Sequence, residues 1–348
     1  MSLAQNIPRP APRRPAVALL GAAVAVLALA ALMLGPVAIP APRIAAVFAG
    51  GGDMTERVIL LDIRLPRLLM ALATGTTLAL AGAAMQVMLG NPLADPGLIG
   101  VTGAASMGAV GVIVLGGAIA AGLPAGRRPY LLPVAAFLGA GAVIALLFAL
   151  ARRAGEGAVA TIIPAGVAIN AFAGAVIGML IYVSDDQQLR DLTFWSMGGL
   201  GAADWRVVGV ALVLVAAVLP LFLGAARALD LMQLGERAAF HAGLDVARAQ
   251  QRMALATALG VGAVTAAAGP IGFIGLVAPH LARLTMGPAH RALMPMAALC
   301  GLALVLAADL GVRLAEPPAE PPIGLATSLI GGPFFLWLIL RRRRGLHA

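Results

Sequence analysis

Arg64-Leu65-Pro66-Arg67 stands at the head of an apolar run that ends at Met85-Gln86. Asn91-Pro92-Leu93-Ala94-Asp95-Pro96-Gly97 follows at once. Guanidinium groups at one helix end suit bidentate recognition of carboxylates. The same pair could instead snorkel to a lipid interface. Arg313, four residues after Asp309 near the end of another apolar run, could join Arg64 and Arg67. At the other end of the run, an amide, two prolines and a carboxylate break helical structure. Broken backbone at membrane depth persists only where protein buries it or a cavity borders it. Met85, Gln86, Asn91 and Leu93 are therefore candidates for a translocation path or gate, with a plain turn as the alternative.

Two further stretches carry polar or backbone-breaking residues. Leu229 to Leu244 is amphipathic although it lies between apolar runs, and reads as two short helices separated near Gly243. Such a segment rests on lipid or inserts into a partner's groove. Gly269-Pro270-Ile271-Gly272-Phe273-Ile274-Gly275 to Arg283 interrupts an apolar run with three glycines and two prolines. His280 and His290 have no acidic residue at ligand spacing, so no metal site is assigned. No nucleophile and base stand in a recognisable order, so no catalytic residue is assigned. The single cysteine, Cys300, excludes an intramolecular disulfide. All basic residues apart from histidine are arginine, so the phosphate-binding lysine of a P-loop is missing. The chain cannot itself be an ATPase of that class.

The elements that must hold these residues are apolar. The 348-residue chain is 61% hydrophobic and 11% charged, against about 25% charged in soluble domains. Apolar segments fall at 16–35, 66–89, 97–122, 130–151, 161–183, 205–226, 250–268, 271–285, 293–312 and 323–340. They predict an all-α membrane protein of about ten transmembrane helices, built as one domain over 1–348. Residues 1–15 and 341–348 form tails, and 229–248 the longest inner loop. With the N-terminus inside, Arg152, Arg153, Arg227, Arg237, Arg248, Arg252 and Arg341 to Arg344 also fall inside, as the positive-inside tendency prefers. Arg127 and Arg128 fall outside, against it. The +9 net charge lies at helix ends, not along one face, so nucleic acid is not a predicted partner. Met70-Ala71-Leu72-Ala73-Thr74 recurs as Met253 to Thr257, in helices that cross in opposite directions. This predicts an inverted repeat. The acids sit at loops and helix ends, which disfavours an ion-driven carrier, the reading from another class.

Taken together, these motifs closely resemble the FecCD family, the membrane subunits of bacterial ABC importers for iron-siderophores, haem and cobalamin. The resemblance rests on Arg64-Leu-Pro-Arg67, Gln86 with Asn91 to Gly97, Leu234-Gly235-Glu236 to Gly243, and Gly269 to His280. Asp309 to Arg313 and Pro322-Ile323-Gly324 to Phe335 complete it. It implies the inverted-repeat, BtuC-like type II importer fold in the bacterial inner membrane, with both termini cytoplasmic. It implies a second copy of the chain, two cytoplasmic ATPase subunits that act on ATP and Mg, and a periplasmic binding protein. No cofactor would be bound by the chain itself, and membrane lipid would surround it. It also implies docking of the binding protein at Arg64, Arg67 and Arg313. A gate would lie around Met85, Gln86, Asn91, Leu93, Val159, Ala160 and Thr161. ATPase coupling would run through Leu234, Gly235, Glu236, Ala239, Gly243 and Leu244. Gln188 to Gly199 resembles the haem branch, with cobalamin and ferric siderophore as alternative cargoes.

Overall fold

Stretches of about twenty apolar residues satisfy their own backbone only as helices when lipid surrounds them. In the computed structural model, which describes residues 14–154, 158–315 and 320–344, the described residues hold helices and no strand. In chain order come α1 (Arg14–Met33), α2 (Ala41–Phe48), α3 (Met54–Arg57), α4 (Leu65–Met88) and α5 (Val101–Ala121). They are followed by α6 (Leu131–Ala154), α7 (Ala158–Val183), α8 (Asp186–Ser196), α9 (Trp205–Gly224) and α10 (Ala226–Met232). The last five are α11 (Glu236–His241), α12 (Val246–Ala268), α13 (Ile274–Met286), α14 (His290–Ala315) and α15 (Ile323–Arg344). The ten predicted segments are α1, α4, α5, α6, α7, α9, α12, α13, α14 and α15. Among the described residues, six stretches are long and apolar enough to cross a membrane by length and composition, in α1, α4, α6, α7, α9 and α14.

Two boundaries differ from the sequence reading. The inner loop breaks between its short helices at Gly235 rather than Gly243, because Gly235 has φ +99°, which only glycine adopts freely. Gly243, at φ +83°, instead ends α11. The run from Gly269 to Phe273 is irregular, so α13 starts at Ile274 and is only 13 residues long.

Pro66 does not open a helix from a loop. α3, a π-helical segment Val58–Arg64 and α4 run on continuously. Leu65 N–H bonds back to Leu60 O, five residues away. The next bond in that register would come from Pro66, which has no N–H. The freed Leu61 carbonyl accepts from Trp205 Nε1 at 2.8 Å instead.

The repeat seen in sequence is present in space. α4 packs on α14 and α13, and α12 packs on α6 and α5 in the same way. The copies of the Met-Ala-Leu-Ala-Thr motif are offset so that Thr77 and Gly260 occupy equivalent positions. These two residues touch: a Cβ on Gly260 would stand 2.8 Å from Thr77 Cγ2. Contact between equivalent residues marks the pseudo-twofold axis at the α4–α12 crossing.

Little hydrophobic force draws helices together in lipid, so close backbone approach must supply packing energy. Gly75 of α4 lies against Gly301 of α14, and a Cβ on Gly75 would stand 2.5 Å from Gly301 O. Gly82 lies equally close against the Gly275 backbone of α13.

Candidate functional site

Three places hold the polar residues singled out above. The first is the end of the bundle where α4 begins and α1 and α14 finish. Arg64 Nη1 donates to Leu32 O at 2.5 Å and Met33 O at 3.1 Å, and Nη2 donates to Val37 O. Arg313 Nη2 donates to Ala31 O at 2.7 Å and Leu34 O at 2.5 Å. The last carbonyls of α1 have no intrahelical donors, and two guanidiniums from other helices supply them. A cation at a helix C-terminus also suits the helix dipole. Arg67 makes a bidentate pair with Asp309, at 2.9 Å and 3.2 Å from Nε and 2.8 Å from Nη2, and bonds Glu320 through Nη1. The three arginines are only 4–6% exposed. The sequence suggested cations free to meet a partner; the structure gives each one acceptors within the chain.

The second place is a junction of two broken helices midway along α4. After Leu89 the chain turns back. Asn91, exposed, closes a tight turn by accepting from Leu93 N at 2.9 Å. Asp95 caps a 3-10 turn, Pro96–Ile99, by accepting from Gly97 N at 2.8 Å, and Asn170 of α7 donates to Gly97 O at 3.0 Å. The segment that returns from Phe273 meets it there. A Cβ on Gly275 would stand 2.9 Å from Pro96 Cδ, 3.1 Å from Asp95 Oδ2 and 3.2 Å from Leu78 O. Leu78 lies ten residues before Met88, roughly 15 Å along the helix. Both α5 and α13 thus start inside the bundle, as discontinuous transporter helices do. Met85 and Gln86 are buried in this packing. Gln86 donates to Gly275 O at 3.3 Å and accepts from Arg283 at 3.1 Å, locking α4 to α13 at both ends of its amide. Leu93 is half-buried. Val159, Ala160 and Thr161 lie in the first turn of α7, and their side chains are outside the described residues.

The third place is α10, α11 and the start of α12, at the end opposite the arginines. Gly243 completes a Schellman cap on α11: Gly243 N bonds Phe240 O at 2.9 Å, and Leu244 N bonds Ala239 O at 3.0 Å. Ala239 is buried. Gln250 donates to Glu236 at 2.7 Å and ties α11 to α12. Leu234 is 72% exposed and Phe240 69% exposed. The sequence-predicted coupling residues are therefore contiguous, with Leu234 among them and Phe240 beside them largely exposed.

The comparisons with known proteins fit this geometry. Residues 23–341 match the family model described as the FecCD transport family. The chain belongs to the FecCD transport family. It is 48% identical over 285 residues to the hemin transport system permease HmuU of Yersinia pestis, covering 82% of this chain and 84% of that one. It is 42% identical over 286 residues to the vitamin B12 import permease BtuC of Vibrio cholerae, again covering 82% and 84%. An inward-facing structure of a metal-chelate type ABC transporter superposes with a TM-score of 0.82 at 28% identity, covering 94% of this chain and 99% of that chain.

As a FecCD permease subunit of an ABC importer, this multi-pass chain carries polar residues that sequence reasoning passed over. Trp205, Asn170, Asp230 and His290 each bond across a long stretch of chain. Each falls at a helix terminus or inside an apolar run, where single-chain periodicity gives no sign of a distant partner. The pairing of Arg67 with Asp309 had one signal: an acid in the last turns of an apolar run, near the end where the arginines gather, needs a cation.

Proposed function

We propose that this FecCD permease carries haem from periplasm to cytoplasm, as one of two copies that sit above two ATPase subunits. The reading is supported above all by the 48% identity to the hemin permease of Yersinia pestis across most of both chains. The arginine end faces the periplasm and receives the binding protein. Because Arg64, Arg67 and Arg313 are engaged inside the chain, they shape that surface by holding α1 and α14 in place. The α10–α11 end faces the cytoplasm, where Leu234 and Phe240 fit a groove of the ATPase subunit. ATP and Mg are bound there, not by this chain. Both termini are cytoplasmic, with Arg341 to Arg344 held inside. The junction of broken helices, with Asn91, Leu93 and the first turn of α7 beside it, forms the gate region. Gln86 and Met85, both buried, serve that gate by packing behind it.

Cobalamin is the second reading, favoured by the 42% identity to the BtuC permease of Vibrio cholerae. ATP-driven uptake by the assembled complex in vesicles, with haem, cobalamin and a ferric siderophore offered in parallel, decides the cargo. Uptake of haem at the lowest concentration supports the first reading. Preference for cobalamin replaces it.

A further inference from the structure

Asp230 and His290 lie 60 residues apart and have no part in the roles assigned above. Asp230 belongs to α10, and His290 is the first residue of α14. One carboxylate oxygen, Asp230 Oδ1, accepts from the His290 backbone N–H at 2.8 Å and pairs with the ring Nδ1, also at 2.8 Å. The aspartate therefore caps the N-terminus of α14 from another element, satisfying one of its unpaired donors. A carboxylate only accepts, so Nδ1 carries the ring proton. The imidazole is fully buried, whereas the Asp230 side chain is 39% exposed. Nε2 has no partner among the described residues, so the Asp230 bond alone orients the ring.

The placement matters more than the bond. α10 joins α11 through a short hinge that contains Gly235, with its left-handed φ. α14 spans 26 residues, roughly 39 Å. Its far end carries Asp309 and Arg313, which hold Arg67 and the end of α1. A single helix thus connects the short helices at one end to the arginine cluster at the other.

We propose that the Asp230–His290 pair ties α10 and α11 to α14, so that movement of the short helices is delivered along α14 to the Arg67–Asp309–Arg313 cluster. Both are positioning residues. The proposal rests on the importer reading, with α10 and α11 against the ATPase.

The test uses the whole importer, co-expressed with its ATPase and binding-protein subunits and reconstituted in vesicles. Wild type, His290→Ala, His290→Asn and Asp230→Ala are compared. Uptake of haem and hydrolysis of ATP are measured in the same vesicles. His290→Ala and Asp230→Ala are expected to assemble and still hydrolyse ATP, with haem moved per ATP reduced about tenfold, the scale of an ordinary coupling free energy. His290→Asn, whose amide N–H occupies the Nδ1 position, is expected to recover at least half the ratio. A role in packing alone would lower the unfolding temperature, uptake and hydrolysis together, leaving the ratio unchanged, and that result overturns the tie. If His290→Ala does not assemble, Asp230→Ala carries the test, since it alters a partly exposed side chain. Wild-type vesicles that take up none of haem, cobalamin and ferric siderophore with ATP would remove the importer reading and the tie together. Wild-type uptake with a normal ratio in Asp230→Ala removes the tie only.

Discussion

The two ends of the bundle use charged and apolar side chains in opposite ways. At one end Arg64, Arg67 and Arg313 turn inward, and every one of them bonds to the chain's own carbonyls or carboxylates. At the other end Leu234 and Phe240 turn outward and are largely exposed, on short helices linked by two glycines of positive φ. One end is closed upon itself and the other is left to be completed. Rigidity at the first serves to keep α1, α4 and α14 in register. Incompleteness at the second is what a surface for a moving partner requires.

The largest expected effect is at the closed end. Arg67→Ala leaves Asp309 buried without a cation, and breaking a buried pair from one side costs about 3–5 kcal/mol. Thermal unfolding of the purified permease in detergent should show that loss. A drop under about 1 kcal/mol would mean that the end is not closed as described. Arg64→Ala removes three bonds to carbonyls at and just beyond the end of α1, worth about 1.5–3 kcal/mol in all to a charged donor. Hydrogen exchange should then rise at residues 34–39, and unaltered protection there would break the comparison. At the open end, Gly235→Ala forces φ +99° on a residue with a Cβ, costing about 1–2 kcal/mol locally. Overall unfolding should barely move, while ATP hydrolysis becomes less tightly coupled to uptake. The smallest effect on the fold is expected from Leu234→Ala with Phe240→Ala, within about 0.5 kcal/mol of wild type because both are exposed. The same pair should weaken binding of the ATPase subunit in co-purification. Full retention of binding would take these side chains out of the interface.

This contrast was only half visible in the sequence. Segment lengths and hydropathy mark ten apolar segments that fold as helices, six of them, among the described residues, long and apolar enough to cross a bilayer. The offset between Met70 and Met253 also located the repeat. What escaped was pairing over distance. Arg67 and Asp309 are 242 residues apart, and each alone reads as a residue near a helix end. Arg64 opposed the dipole of its own helix and made sense only when α1 brought its free carbonyls to it. The π-helical segment before Pro66 depended on Trp205, 144 residues away, to donate to its freed carbonyl. The short start of α13 was missed because Gly269 to Phe273 is as apolar as the helix it precedes. The short helices of the inner loop were legible because their caps are built from neighbours, although Gly243 closes α11 and the break that the sequence reading set there falls at Gly235.

The contact of Thr77 with Gly260 carries a further consequence. A threonine at both equivalent positions would put two side chains into one gap on the axis and push the helices apart. Here one side keeps a methyl that fills the gap, and the other, as glycine, admits it. The crossing at the centre of this permease is thus a lock whose two parts are cut to different shapes, and Gly260→Thr would jam it.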